Sequence, residues 1–190
     1  MNTLKIMKLQ NGLALIIVLS LIFPVTLISQ ETRKERKERE KAENLQKYKV
    51  AKQLIMDSTF VVPADNIIFG NGSPMTMVQS TINFLRMDGE EAVIQIGSDF
   101  ARTSGLNSLG GVTLKGKPAN IRIKEKESKH RLFMTFTVTG LIGTANVSLT
   151  LTGSEKAVVD VKGMFSGKSL SIRGQVVPLK GANIFEGTEF

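Results

Sequence analysis

The sequence predicts a mainly β protein, in which an N-terminal α-helix precedes an antiparallel β meander of about 8–9 strands. Three observations support this fold class. Apolar residues recur at helical spacing only as far as Ile55. Beyond Thr59 apolar and polar residues alternate, which gives each strand one buried face and one wet face. Short Gly-containing connections separate consecutive strands. Such a sheet must curl to bury one face and limit its edges, so we expect a sandwich or a partly open barrel.

Residues 1–29 have the pattern of an export signal. Lys5 and Lys8 precede the run 13–28, sixteen residues that are apolar but for three. A membrane span needs about 20 residues, so we expect cleavage after Ser29. The alternative is a retained signal anchor, because a cluster of Lys and Arg follows the run and opposes export. In both cases the body lies outside the cytoplasm, and it contacts the membrane only through an uncleaved leader.

Residues 30–56 predict a charged helix that docks on the body. Glu, Lys, Arg, Ala, Leu and Gln dominate this stretch, and all favour helices. The first half is a solvated spacer. From Ala42 an apolar stripe appears at helical spacing, formed by Leu45, Tyr48, Ala51, Leu54 and Ile55. A coiled-coil or partner-binding helix is the alternative, but the apolar pattern does not persist over several heptads. The β domain then covers residues 57–190.

The predicted strands follow one another along the β domain. They are Thr59–Val62, Met77–Met87, Ala92–Ile96, Asn120–Lys126, Leu132–Thr139, Thr144–Thr152, Ala157–Lys162 and Ser169–Val177. Asp88-Gly89 predicts a two-residue hairpin turn, and Pro63 is expected to end the first strand. Alternation places Phe84, Met134, Phe136, Ile121 and Ile123 on the inward face.

The longest predicted connection is 97–111, a 15-residue segment with four Gly and three Ser. Loops of this length are uncommon in compact domains and often carry function. Its candidate binding residues are Asp99, Phe100, Arg102, Leu106 and Leu109. The first three supply an acid, an aromatic ring and a base within four residues. The alternative is that the apolar members attach the loop to an open end of the sheet.

The net charge of +8 belongs mainly to the leader and the helix. Residues 1–30 carry two Lys and no acid, residues 31–52 carry nine Lys and Arg against five Glu, and residues 53–190 carry 14 against 12 acids. The basic cluster is interleaved with Glu and has no aromatic residue before Tyr48, so nucleic acid is not an expected partner. The absence of Cys and the single His130 exclude thiol chemistry, cysteine zinc sites and two-His metal motifs.

The sequence nominates no catalytic, cofactor-binding or metal-binding residues, so we expect no enzyme. It favours an exported envelope protein that binds an unknown envelope partner or acts as a scaffold through the 97–111 loop. One alternative is a carrier of a small apolar ligand or lipid, because ten Phe and eight Met could line an adaptable cavity. A second alternative is a hydrolase built on Asp99 with neighbouring Ser or Arg residues.

Two segments carry a resemblance to a known family. Ile96–Thr103 stands where that family has a Tyr-Phe-Gly-Arg-like stretch, with Ala101 in place of the Gly. Ala157–Lys162 and Ser171–Gly174 are similar to its closing strand pair, with Arg173 in place of a Tyr. From about Lys41 to Pro178 the chain resembles the domain of unknown function 4251 family, small exported proteins found chiefly in the Bacteroidota. The resemblance implies an export signal, a charged helix, an antiparallel body and a periplasmic or cell-surface location in a Gram-negative bacterium. It implies no activity.

Overall fold

The computed structural model describes residues 32–70, 74–97, 111–165 and 168–188. The chain divides into a unit that ends at Glu40 and a compact unit from Lys41 to Phe190. The predicted leader lies outside the described residues. Within the ranges that the structure describes, no helix combines the length and the apolar character needed to cross a membrane.

Helix α1 spans Arg33–Met56. A capping box begins it: the Glu35 N–H donates to Thr32 Oγ1 at 3.2 Å, and the Thr32 N–H donates to the Glu35 carboxylate at 2.8 Å. Three residues of the predicted apolar stripe are buried, namely Tyr48, Ala51 and Ile55. Helical spacing therefore located the docking face correctly.

In the part of the chain that the structure describes, ten strands follow the helix, and all their pairings are antiparallel. They are β1 (Thr59–Phe69), β2 (Thr76–Met77), β3 (Phe84–Asp88), β4 (Glu91–Ile96), β5 (Val112–Lys126), β6 (Arg131–Gly140), β7 (Gly143–Thr152), β8 (Lys156–Phe165), β9 (Lys168–Gln175) and β10 (Val177–Pro178), with a 3₁₀ turn at Glu127–Lys129 between β5 and β6. Consecutive strands from β3 to β9 are neighbours, which confirms the predicted meander.

Strand β1 closes this meander into a barrel of eight strands. Its residues 59–63 pair with β3, and its second half, from Ala64 to Phe69, pairs with β9. The sequence had left a sandwich and a partly open barrel as alternatives, and the observed barrel is closed. Closure pairs the two edges that an open meander would leave exposed.

Strand β1 also runs through Pro63, so the prediction that this proline ends the strand was wrong. The register shifts between Ala64 and Asn66, which marks a β-bulge directly after the proline. Bulges are among the few places where a sheet tolerates proline, since the ladder is already interrupted there. The Ala64 N–H donates to the Asn83 carbonyl at 2.8 Å and resumes the backbone bonding.

Strand β5 begins eight residues before the predicted start at Asn120. Gly116 and Pro118 interrupt the alternation of apolar and polar residues, so the sequence pattern did not reveal the first part of this strand. The strand pairs first with β4 and then, from Lys117, with β6. A Cβ at Gly116 would collide with the Thr139 carbonyl, so glycine permits the close approach at this change of neighbour.

Two further sequence expectations were wrong for related reasons. A register shift between Ala119 and Arg122 turns Ile121 outward, where it is 41% exposed, whereas Ile123 packs against the core as predicted. The single strand predicted over Met77–Met87 is two strands, β2 and β3, joined by the turn that contains Gln79. Hydrophobic periodicity in the sequence does not reveal the extra residue of a bulge or a short turn inside an apolar stretch.

Inward side chains of all eight barrel strands form one buried apolar cluster with Tyr48, Ala51 and Ile55 of the helix. The part of the helix from Lys41 onward therefore lies across one end of the barrel. Lys47 pairs with Glu155 at 3.3 Å, and Lys52 pairs with Glu125 at 2.5 Å. These contacts place the helix beside the β5–β6 and β7–β8 turns.

Tyr48 adds a polar anchor at the same end. Its hydroxyl donates to Glu125 at 2.9 Å, and its ring lies 5.7 Å from that of His130. Burial, followed by the hydrogen bond to Glu125, raises the pKa of Tyr48 to about 12. The hydrogen bond from Lys52, supported by that from Tyr48, lowers the pKa of Glu125 against the effect of burial. At neutral pH the contact therefore joins a neutral Tyr48 of the helix to an ionised Glu125 of β5.

A second, smaller apolar cluster lies on the outer face of the barrel. Val61, Phe84 and Val93 are fully buried there beneath Val177, Leu179, Ala182 and Ile184. The expectation that Phe84 faces the barrel interior was therefore wrong; its neighbours Leu85 and Met87 do so. The chain after β10 covers this outer face. Side chains that point away from the barrel core are therefore shielded from water here.

Candidate functional site

The five residues predicted for a binding loop, Asp99, Phe100, Arg102, Leu106 and Leu109, lie outside the described residues. The flanks of that segment are described. Ile96 pairs with Val112, and the Gly97 N–H donates to Asn83 Oδ1 at 2.8 Å. By strand direction these flanks stand at the barrel end opposite α1. The binding role of the loop stays a prediction.

The described residues present a different candidate, a groove of about 280 Å³ on the outer wall. We call it the Arg173 groove. Its lining residues are Asp65, Asn66, Thr152, Lys156, Ala157, Val158, Arg173, Gly174 and Gln175. They come from β1, β7, β8 and β9, so the site exists only because β1 closes the barrel against β9.

The bulge in β1 shapes one side of this groove. Asp65 is the extra residue between Ala64, which pairs with Gly174, and Asn66, which pairs with Arg173. A Cβ at Gly174 would collide with the Pro63 carbonyl oxygen, so this position requires glycine for the two backbones to approach. The bulge and the glycine together bring an acidic side chain of β1 to the basic side of β9.

The opposite side of the groove is basic. Arg173 pairs across the sheet with Val158, and Gln175 pairs with Lys156. Arg173 and Lys156 are therefore diagonal neighbours on one face, at a spacing of roughly 7–8 Å between positions of this kind. Both side chains are exposed. Within the described part of the chain, no carboxylate lies within ion-pair distance of Arg173 or Lys156.

Two exposed methionines flank the basic side. Arg173 Nη1 lies 3.7 Å from the Met75 sulfur, and Met77 pairs with Asn66 across β1 and β2. Met75 is 54% exposed and Met77 is 84% exposed. Flexible thioether side chains accept irregular apolar groups. The arrangement offers cations for an anionic group, amides and a hydroxyl for hydrogen bonds, and an apolar patch beside them.

A second groove, of about 210 Å³, lies on the same wall. It is lined by Asn120, Arg122, Thr135, Phe136, Thr137, Asn146, Val147 and Ser148. Thr137 Oγ1 donates to Asn146 Oδ1 at 3.1 Å, so part of its polar surface is already paired. Its exposed apolar neighbour Ile121, between the lining residues Asn120 and Arg122, is 41% exposed, which is less than either methionine beside the Arg173 groove. We therefore take the Arg173 groove as the candidate site.

The Arg173 groove offers ion pairs and hydrogen bonds to a bound group. Among the described residues that line the groove, Asp65 is the one carboxylate, and no histidine or second acid stands beside it. General acid–base catalysis and nucleophilic catalysis both need a positioned partner for the reacting group. Across the described residues, no group of three His, Cys, Asp or Glu side chains could hold a metal ion.

Sequence reasoning did not connect Arg173 with Asp65 or Lys156. Charged residues are ordinary on the wet face of a strand, so no local signal distinguishes these three. The groove depends on the β1 bulge and on the β1–β9 pairing, which join residues more than 100 positions apart.

The fold and the site define a class of protein: a closed antiparallel barrel with a helix across one end and a polar groove on its outer wall. The chain belongs to the family described as a domain of unknown function, DUF4251, whose model matches residues 42–176. This confirms the resemblance seen in the sequence.

A crystal structure of a DUF4251 family protein from Bacteroides eggerthii DSM 20697 is similar to this chain, with a TM-score of 0.64 and 24% sequence identity. The likeness covers 76% of this chain and 96% of that one. At this identity it shows the fold alone. No curated protein matches the chain.

Proposed function

We propose that this chain is an exported, non-enzymatic binding protein of the cell envelope, periplasmic or on the surface of a Gram-negative bacterium. The leader pattern of residues 1–29, with its expected cleavage after Ser29, supports export. The closed barrel provides a rigid support for a surface site.

The Arg173 groove is the binding site in this proposal. One observation carries it: two cations that lack a carboxylate partner in the described residues lie over a groove beside two exposed methionines. A partner that fits presents a carboxylate or phosphate next to an apolar group. An acidic segment of another envelope protein has this chemistry, because Arg pairs carboxylates with two parallel hydrogen bonds while Met contacts the neighbouring apolar side chain.

Recovery of envelope components on the immobilised mature protein tests the groove. The wild type is compared with an Arg173→Ala/Lys156→Ala variant and with a Lys117→Ala/Lys124→Ala control, which removes the same charge from exposed positions on β5. We expect the component bound by the wild type and the control to fall at least tenfold on the groove variant, and its binding to weaken as salt rises. Equal recovery on all three proteins, or no specific recovery on the wild type, contradicts the proposal.

The predicted loop has its own test. Deletion of Ser98–Gly110 should leave the barrel folded, because the deleted segment lies between paired ends of β4 and β5. If the loop binds the partner, the deletion abolishes recovery while the far-UV circular dichroism stays unchanged. Undiminished recovery eliminates the loop and leaves the groove as the site.

The carrier alternative requires a ligand inside the barrel. The inward residues of all eight barrel strands instead pack against one another in a single apolar cluster. We therefore propose binding on the outer wall rather than in the interior. Native mass spectrometry of the protein taken from its source envelope checks this choice, and a bound lipid mass would reverse it.

A further inference from the structure

Met75 and Met77 lie beside the Arg173 groove with their side chains exposed to solvent, 54% and 84% respectively. The short strand β2 holds them there. Met77 pairs with Asn66, which lines the groove, and the Val78 N–H donates to the Asp65 carbonyl at 3.2 Å. Val78 also packs against the barrel core. The two thioethers are therefore accessible, yet they are held next to the groove.

The Met75 sulfur contacts a cation. Arg173 Nη1 donates to it at 3.7 Å, and the planar guanidinium carries further N–H donors. Among the described methionines, Met56 at the end of α1 has almost the same exposure, 52%, but its sulfur accepts no such bond. Met87 and Met134 are fully buried. Contact with Arg173 therefore distinguishes Met75 from a methionine that is merely exposed.

Peroxides oxidise an accessible thioether to a sulfoxide. With hydrogen peroxide, a lone pair of the sulfur attacks one oxygen, so that an S–O bond forms and the O–O bond breaks. Sulfur is oxidised by two electrons, and the other oxygen leaves as hydroxide, which takes the proton of the new S–O–H group and becomes water. Negative charge develops on the leaving oxygen, and N–H donors beside it stabilise the transition state. Arg173 supplies such donors at Met75.

The sulfoxide would change both properties of this side of the groove. Its oxygen is a stronger acceptor than the thioether sulfur, so Arg173 exchanges a weak N–H···S bond for a charge-assisted bond to oxygen. The side chain of Met75 also becomes polar, which removes part of the apolar patch. An anionic group in the groove then competes with the sulfoxide for Arg173, and its apolar neighbour contacts a poorer surface.

We propose that Met75 is an oxidation site for peroxides, and that its sulfoxide binds Arg173 and weakens binding in the Arg173 groove. The weakening rests on the proposed function of the groove, whereas the oxidation of Met75 and the new bond to Arg173 do not. Oxidation leaves the groove with one of its two cations engaged within the chain.

Treatment of the full mature chain with dilute hydrogen peroxide, followed over time by peptide mass spectrometry, measures the oxidation rate of each methionine. We expect Met75 to react at least about threefold faster than Met56, because only Met75 has a cation beside its sulfur. The Arg173→Ala variant should lower the Met75 rate to that of Met56. The matched control is Arg131→Ala, which removes the same side chain from an exposed position on β6 and should leave the rate unchanged.

The two fully buried methionines report on folding, since they stay unoxidised as long as the barrel is intact. A Met75 rate equal to that of Met56 overturns the oxidation site, as does a Met75 rate that Arg173→Ala leaves unchanged.

The NMR signal of the Arg173 Nε–H shows whether the sulfoxide binds the guanidinium. It should shift when the wild type is oxidised and stay in place when a Met75→Leu variant is oxidised, because leucine has a similar volume and no sulfur. Met77 is oxidised in both proteins, so the difference belongs to Met75. An Arg173 signal that oxidation of the wild type leaves in place overturns the contact.

Phenyl phosphate, an anion next to an apolar ring, then probes the groove by NMR titration. We expect its affinity to fall at least about fivefold on oxidation of the wild type and by less than about twofold on oxidation of Met75→Leu. Undiminished affinity for the oxidised wild type overturns the weakening alone. Absent binding to the reduced wild type contradicts the groove as a binding site, and the weakening with it, while the oxidation rates and the Arg173 signal still decide the oxidation site.

Discussion

Replacement of Gln95 by Leu tests how residues 179–188, the segment on the outer face of β1, β3 and β4 that we call the strap, are held. The two side chains are similar in volume, so the change removes hydrogen bonds with little change in packing. Gln95 forms four bonds, two of them with the strap backbone at Phe185 and Gly187. At about 1 kcal/mol net for each bond, the loss is roughly 4 kcal/mol if the strap stays in place. Because residues 179–188 form no strand of the sheet, the strap can detach and expose the unpaired groups to water, which limits the cost to the barrel.

The consequence is a local opening, and hydrogen exchange under native conditions measures it. We expect exchange at residues 179–188 to accelerate by two to three orders of magnitude, since about 1.4 kcal/mol corresponds to each factor of ten. Amides of β6 and β7 should change by less than tenfold. The matched control is Gln175→Leu, on the exposed outer wall. Unchanged exchange in the strap, or equal acceleration throughout the barrel, would refute the reasoning.

Three other predictions concern the barrel itself. Ile55→Ala should lower the free energy of unfolding by about 2–5 kcal/mol in urea titrations, because this helix residue is fully buried, whereas Val50→Ala, at a site 52% exposed, should change it by less than about 1 kcal/mol. Gly174→Ala should lower the melting temperature more than Gly153→Ala, because only the first places a Cβ against backbone; the reverse order would contradict the close approach to Pro63. Hydrogen bonds from Lys115 and Arg86 outweigh burial and hold the pKa of Glu91 below its ordinary 4.5, so its stabilisation is present above that pH and is lost as the pH falls through the lowered value. Glu91→Gln should therefore flatten the acid side of stability measured by urea unfolding between about pH 3 and 7, and an unchanged slope would count against this ion pair.

The sequence predicted those elements whose pattern is complete within a few residues. Tyr48, Ala51 and Ile55 repeat at helical spacing, and the helix buries them. Strands β6 and β7 alternate without interruption, and their apolar residues are buried as expected. The prediction failed where backbone irregularity changes the alternation, as at the bulges beside Asp65 and Ile121. A bulge adds one residue to a strand and reverses the facing of those that follow.

The sequence indicated that β4 is buried on both faces, but it did not identify the segment that covers the outer one. Ala92–Ile96 is almost wholly apolar, a pattern typical of a strand buried on both faces, with Gln95 as its polar member. All five of these residues are buried. The sequence contained this signal, but it did not indicate that the covering segment comes from the C-terminus.

The sequence by itself determined a charged helix, a meander of antiparallel strands and membership of the DUF4251 family. Only the tertiary structure decided that β1 closes the barrel, that Asp65 and Arg173 share a groove, and that Gln95 holds the strap. The physical reason is separation along the chain. Helical and strand periodicity describe neighbours a few residues apart, whereas Gln95 and Phe185 are 90 residues apart and meet only when the barrel has formed.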